Sequence, residues 1–266
     1  ITKTLKGDWG FQGFAVSDWE DYIMLNSIHR TAEDIEQAII SAFNAGVDMS
    51  MVPYSPQYKE YCQLMIKAVK EGKITQERLD DAVRRILRVK IKAGLYKDAM
   101  NQLNEYPDFG SEKFKATGLE AALESITLLK NNNHTLPLSM DKKVLVSGPT
   151  SNNLIYLNGA WTHTWQGADT AYNTVGCKTV FEAFKEKIGP ENCLFSQGAE
   201  LYLENGFEAT RLIASDDFKT KAAQSDIIVL CLGEYPSTEK PGDIRSLNLD
   251  EEQLALAEMA YATNKP

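Results

Sequence analysis

Two stretches of the sequence place carboxylates where apolar runs end. In Gly13-Phe14-Ala15-Val16-Ser17-Asp18-Trp19, the residues Phe14 to Val16 read as a short buried strand that leads to Asp18 and an adjacent indole. A charge is costly to bury unless it is paired, whereas the carboxyl ends of parallel strands are where α/β folds gather their chemistry. The plain alternative is that Asp18 caps the following turn. In the second stretch, the apolar run Ile227 to Leu232 gives way to Gly233-Glu234-Tyr235-Pro236-Ser237-Thr238-Glu239-Lys240-Pro241-Gly242-Asp243, a loop composition that offers three acids. Carboxyl groups at such ends can attack an electrophilic carbon or pass a proton. Glu234 also suits a loop-ordering role, and Asp243 a turn. A third stretch, Trp161-Thr162-His163-Thr164-Trp165-Gln166-Gly167, holds two tryptophans four residues apart. They fit a core pair, given the area that Trp buries, or a binding loop, given their polar and aperiodic surroundings.

The elements that must position these residues alternate between strand and helix. Thr31 followed by Ala32-Glu33-Asp34 predicts a helix start. Ile35, Ala38, Ile39 and Ala42 then recur at helical spacing, and Gly46 stands where a C-cap glycine belongs. Val47 to Val52 is the next strand, roughly thirty residues after the first, the span of a β-α-β unit with a parallel return. Asp48 within it suits a functional or a hydrogen-bonded structural carboxylate. Helices are predicted from Tyr58 to Gly72 and from a Thr75 cap to Gly94, with Arg84, Arg85, Arg88, Lys90 and Lys92 as the solvated side of the latter. Periodicity lapses from about Lys97 to Lys115, a predicted linker. Gly118 to Lys130 reads as helix, Val144 to Ser147 as strand, Val180 to Ile188 as helix, Ile227 to Leu232 as an unbroken apolar strand, and Gln253 to Ala262 as helix. Unbroken apolar strands alternating with helices imply an α/β fold with a mostly parallel sheet covered on both faces.

Composition narrows the function classes. The chain has 266 residues, 43% hydrophobic and 24% charged, with a net charge of −9, an acidic excess that argues against a nucleic-acid partner. Cys62, Cys177, Cys193 and Cys231 are widely spaced without a CxxC pair, so no metal site is expected. His29, His134 and His163 form no metal spacing and no Ser/His/Asp set. No apolar segment is long enough for a membrane span.

The segment Leu5-Lys6-Gly7-Asp8-Trp9-Gly10-Phe11-Gln12-Gly13-Phe14-Ala15-Val16-Ser17-Asp18-Trp19 resembles the nucleophile signature of family 3 glycoside hydrolases, the β-glucosidases and exo-β-glucanases. The resemblance implies Asp18 as nucleophile and, from the loop similar to the family's acid/base loop, Glu239 as the proton donor. It also implies Trp19 and Trp165 as platforms that clamp the sugar, Trp165 through Trp-Gln-Gly. Retaining glycoside hydrolysis needs two carboxyl groups about 5 to 5.5 Å apart and no cofactor. The expected fold is the C-terminal part of a (β/α)8 barrel in residues 1–97, an interdomain linker in 98–116, and an α/β sandwich second domain in 117–266. The first hundred residues hold two predicted strands where such a barrel needs eight, so an upstream barrel portion is an expected partner, and the chain alone is expected to be inactive. The site would then be divided between two domains.

The expected reaction is exo-acting, retaining release of glucose from the non-reducing ends of β-glucosides or β-linked gluco-oligosaccharides. The alternatives are a family 3 β-xylosidase, arabinosidase or N-acetylhexosaminidase, the last usually with a histidine acid/base, and, from another class, a noncatalytic carbohydrate-binding protein on a degenerate family fold. A periplasmic or secreted location is expected by analogy. Where the plant exo-glucanases carry an arginine beyond the nucleophile, this sequence aligns Met24, so their linkage preference does not carry over.

Overall fold

The computed structural model describes residues 1–54, 56–97, 99–100, 103–204, 207–213, 215–244 and 246–266; residues 98, 101 and 102 of the expected linker lie outside these. The chain divides into two compact units, Ile1–Ile126 and Thr127–Pro266.

The first unit pairs strands β1 (Val16–Trp19) and β2 (Met49–Met51) in parallel. Between them lie helices α1 (Asp21–Ser27) and α2 (Ile35–Ala45), the predicted β-α-β span. Helix α2 ends at Gly46 as expected, but its N-cap is Asp34 rather than Thr31. The Asp34 carboxylate accepts from the Gln37 backbone N–H at 2.7 Å, a contact that an acid three residues ahead supplies directly. Helices α3 (Gln57–Lys70) and α4 (Gln76–Lys92) follow, α4 capped by Thr75. Phe43, Ala68, Ile74 and Ala82 from α2, α3, the connecting turn and α4 make the core. Helix α5 (Glu112–Ser125) starts from the Ser111 cap and stops before Lys130, earlier at both ends than its apolar pattern predicted.

The second unit centres on β3 (Val144–Ser147), fully buried, with parallel partners β4 (Cys193–Ser196) on one side and β7 (Ile227–Leu230) on the other. Alternation along β3 divides two apolar layers. Leu145 faces Phe218 and Ala222 of α7 (Ser215–Gln224) and Leu256 and Ala260 of α8 (Glu251–Tyr261). Val144 and Val146 lie with Val180, Phe181, Phe184 and Ile188 of α6 (Val180–Ile188). The sheet is therefore covered on both faces, as its unbroken apolar strands required. The sequence reading missed a two-stranded antiparallel hairpin, β5 (Ala199–Glu204) and β6 (Phe207–Leu212). Cys231 packs among the Val144 layer, and all four cysteines are free thiols.

Candidate active site

Asp18 lies inside β1 rather than beyond a strand ending at Val16, and its side chain is exposed. The pairing of β1 with β2 explains this. Val16 faces Met49 and Trp19 faces Met51, so three steps on one strand match two on the other. Such a bulge bends the strand and redirects side chains. It is stitched by the Met51 N–H donating to Ser17 Oγ at 3.0 Å and the Glu20 N–H donating to the Met51 carbonyl at 2.9 Å. The Asp18–Trp19 peptide is cis, and Trp19 and Glu20 both have positive φ, 136° and 56°. Trp19 is 51% exposed, its ring edge-on to Tyr54 at 5.7 Å.

The buried carboxylate of this unit is Asp48, not Asp18. Asp48 accepts from Lys6 Nζ at 2.6 Å, lies 2.9 Å from Arg78 Nη2, and takes the Ala15 N–H at 2.9 Å. Burial opposes its ionisation, but the hydrogen bonds from Lys6 and Ala15 and the charges of Lys6 and Arg78 outweigh that cost and hold its carboxyl below the usual aspartate value. Arg78 in turn donates to the carbonyls of Phe43 and Val47, both at 2.8 Å. This cluster fixes the backbone three residues before Asp18.

Helix α4 adds a second hold. Arg85 Nη1 donates to the carbonyls of Phe11 and Gly13 at 2.7 and 3.0 Å, and Arg88 Nη1 to that of Gln12 at 3.1 Å. The basic run on α4 is thus only partly a solvated face: Arg85 and Arg88 tie down the loop that leads into β1.

In the second unit, the loop after β7 carries Glu239, exposed and held at φ 55°, ψ −146°. That backbone region is close to glycine-only, and non-glycine residues held there cluster at functional sites. Glu234 is exposed as well, and the strand ends at Leu230, two residues short of the predicted Leu232. The loop is gripped twice by side-chain amides. Near its base, Gln253 Oε1 accepts from the Gly233 N–H at 3.0 Å while Nε2 donates to the Gly233 carbonyl at 2.9 Å. Next to Glu239, Gln166 Oε1 accepts from the Thr238 N–H at 2.9 Å while Nε2 donates to the Thr238 carbonyl at 3.3 Å.

Gln166 belongs to the tryptophan loop, so the structure brings two of the predicted segments together. Trp161 and Trp165 are 66% and 46% exposed, which removes the reading of them as a core pair. The Trp161 N–H donates to the Trp165 carbonyl at 3.0 Å, and Asn158 Nδ2 to the Gly167 carbonyl at 2.9 Å. Gly167 has φ 75°, and a Cβ there would stand 2.1 Å from the Gly159 carbonyl oxygen, so the loop closes only with glycine at this position. The neighbouring ring of Tyr156 meets Tyr235 edge-on at 6.1 Å.

Asp18 and Trp19 thus lie in the first unit, Trp165 and Glu239 in the second. The sequence reading missed Gln166, Gln253, Arg85 and Lys6. Gln166 and Lys6 stand inside the segments that carry the family resemblance, and Gln253 is the third residue after the helix-capping Asp250, the spacing of a capping pair. Among the described residues, no group of three His, Cys, Asp or Glu side chains could hold a metal ion, and no helix is long and apolar enough to cross a membrane.

Comparison with known proteins covers both units. The family model for the glycosyl hydrolase family 3 N terminal domain matches residues 1–89, and that for the glycosyl hydrolase family 3 C-terminal domain matches residues 126–266. The lysosomal beta glucosidase of Dictyostelium discoideum is 33% identical over 279 residues, covering 100% of this chain and 32% of that protein. The periplasmic beta-glucosidase of Salmonella typhimurium is 31% identical over 288 residues, again covering 100% of this chain and 36% of the relative. Among solved structures, the exo-1,3/1,4-beta-glucanase from a Pseudoalteromonas species superposes with a TM-score of 0.75 at 29% identity, over 100% of this chain and 31% of that one. The chain spans about a third of the length of these relatives.

Proposed function

Since the chain belongs to glycosyl hydrolase family 3, we propose that in the full-length protein it supplies the reacting carboxylates of an exo-acting, retaining β-glucosidase. Residues 1–97 are assigned to the C-terminal part of a (β/α)8 barrel, and the α/β sandwich domain to the unit that starts at Thr127 rather than at 117, because helix α5 runs through that expected boundary as one element. Asp18 is the nucleophile, Glu239 the acid/base, and Trp19 and Trp165 are the sugar platforms. The observation that carries this reading is that Asp18 is exposed within a parallel strand and beside residues of positive φ, that Glu239 is exposed at a positive φ in the loop that follows a parallel strand, and that the buried carboxylate, Asp48, is fully paired.

The chemistry follows from those roles. An Asp18 carboxylate oxygen attacks the anomeric carbon, the bond to the leaving oxygen breaks, and that oxygen takes the Glu239 proton. The product is a glycosyl ester on Asp18. Glu239, now a carboxylate, takes a proton from water as the water oxygen attacks the anomeric carbon, and Asp18 departs as carboxylate. Two inversions give net retention. Pyranose C–H faces lie against the indole rings of Trp19 and Trp165, leaving the hydroxyls free for hydrogen bonds. The substrate class proposed is β-linked glucosides and gluco-oligosaccharides, in keeping with the names of the Dictyostelium and Salmonella relatives. A periplasmic or secreted location is proposed by analogy with the Salmonella protein.

Following the first turnover of the full-length protein on an aryl β-glucoside by proton NMR tests the reading. Glucose is expected to appear first as the β-anomer; the α-anomer appearing first would contradict a retaining mechanism.

A further inference from the structure

Gln166 has no role in the reaction as described, yet its side chain is committed to one backbone residue. Its amide satisfies both polar groups of Thr238, as a neighbouring strand would, and Thr238 is bonded to Glu239. On the other side, Gln166 is bonded to Trp165, whose own carbonyl is taken by the Trp161 N–H. The loop from Gly233 is pinned at its base by Gln253, which is itself almost fully buried and ordered by Asp250 through a 2.8 Å bond. Between base and tip, the Tyr156–Tyr235 ring contact adds a third tie. The residue after Thr238 holds a backbone conformation that an unsupported loop would relax.

We propose that Gln166 is a positioning residue that sets the backbone of Glu239 and couples it to the tryptophan loop, so that the proton donor and the Trp165 platform are placed as one unit. The proposal rests on Glu239 being the acid/base. A side-chain amide suits this task because it offers one donor and one acceptor in a fixed plane, matching one residue's N–H and carbonyl. A proton donor must lie within hydrogen-bond reach of the departing oxygen, so a loop that relaxes here loses proton transfer before it loses binding.

The test compares full-length wild type, Gln166→Met, Gln166→Glu and Glu239→Gln on aryl β-glucosides of graded leaving-group pKa. Proton donation matters for phenol and hardly at all for 2,4-dinitrophenol, because the latter leaves without help. Gln166→Met is expected to lower kcat/KM about tenfold or more on phenyl β-glucoside and less than about threefold on the dinitrophenyl substrate, a fraction of the range that general acid catalysis spans. Gln166→Glu keeps the acceptor for the Thr238 N–H but sets a second acceptor oxygen against the Thr238 carbonyl, so it is expected to show the same selective loss on the phenyl substrate; it also carries the test should Gln166→Met fail to fold. Glu239→Gln should show the steepest leaving-group dependence. If Glu239→Gln steepens that dependence while the Gln166 variants lose both substrates equally or neither, the positioning role is overturned and the role of Glu239 stands. If Glu239→Gln leaves the dependence unchanged, the acid/base reading falls and the positioning role with it.

Discussion

Lys6 and Asp48 form an ion pair at 2.6 Å, with the Asp48 side chain wholly buried, and the same carboxylate takes the Ala15 N–H at the entrance to the strand that holds Asp18. The carboxylate therefore ties Lys6, Ala15 leading into β1 and its own position at the entrance to β2 into one piece.

Replacing Asp48 with Asn should destabilise the protein. The change leaves Lys6 and Arg78 facing a neutral amide, and breaking one side of a buried pair costs about 3 to 5 kcal/mol. Chemical unfolding of the full-length protein, followed by a probe in the first unit, should show the unfolding free energy fall by an amount in that range. A shift under about 1 kcal/mol, the scale of an exposed pair, would show that the cluster does not hold the strand.

The same carboxylate sets a pH dependence. Because the folded protein holds the Asp48 carboxyl below its ordinary value, the unfolded chain binds more protons as acid is added. The stability due to Asp48 is fully present above the ordinary aspartate pKa of about 3.9. It is lost as pH falls through that value and on through the lower folded one. Thermal midpoints measured from pH 6 downwards should fall less steeply in Asp48→Asn than in wild type; parallel curves would contradict the assignment.

Much of this arrangement follows patterns that run locally along the chain. The apolar runs of β3 and β7, the period of α6 and the Thr75 cap are each specified by neighbours in sequence, and each is found where expected. What holds the site in place is specified at long range. Ala15 and Asp48 are 33 residues apart, Gln12 and Arg88 are 76 apart, and Gln166 and Thr238 are 72 apart. An arginine that caps loop carbonyls has the same local pattern as one in water, so Arg85 read as solvated. The β1 bulge was equally hidden, because register is a property of two strands, and so the strand appeared to end at Val16. The roles of Asp18, Glu239, Trp19 and Trp165 came from motif resemblance; periodicity alone left Glu234 and Asp243 beside Glu239.

Trp165→Ala tests the platform. Trp165 is nearly half exposed, so its loss should change thermal stability little while removing a stacking surface worth roughly 0.5 to 1.5 kcal/mol, or about 2- to 13-fold in kcat/KM on a disaccharide. Trp165→Phe should recover part of the loss. Unchanged kcat/KM in the alanine variant would remove Trp165 from the substrate site.

The central claim is that Asp18 forms the covalent intermediate. A 2-deoxy-2-fluoro β-glucoside with an activated leaving group slows the second step, so the ester accumulates on the full-length protein and can be mapped by digestion and mass spectrometry. The label is expected on Asp18 and absent from Asp18→Asn; an ester on any other residue would contradict the assignment.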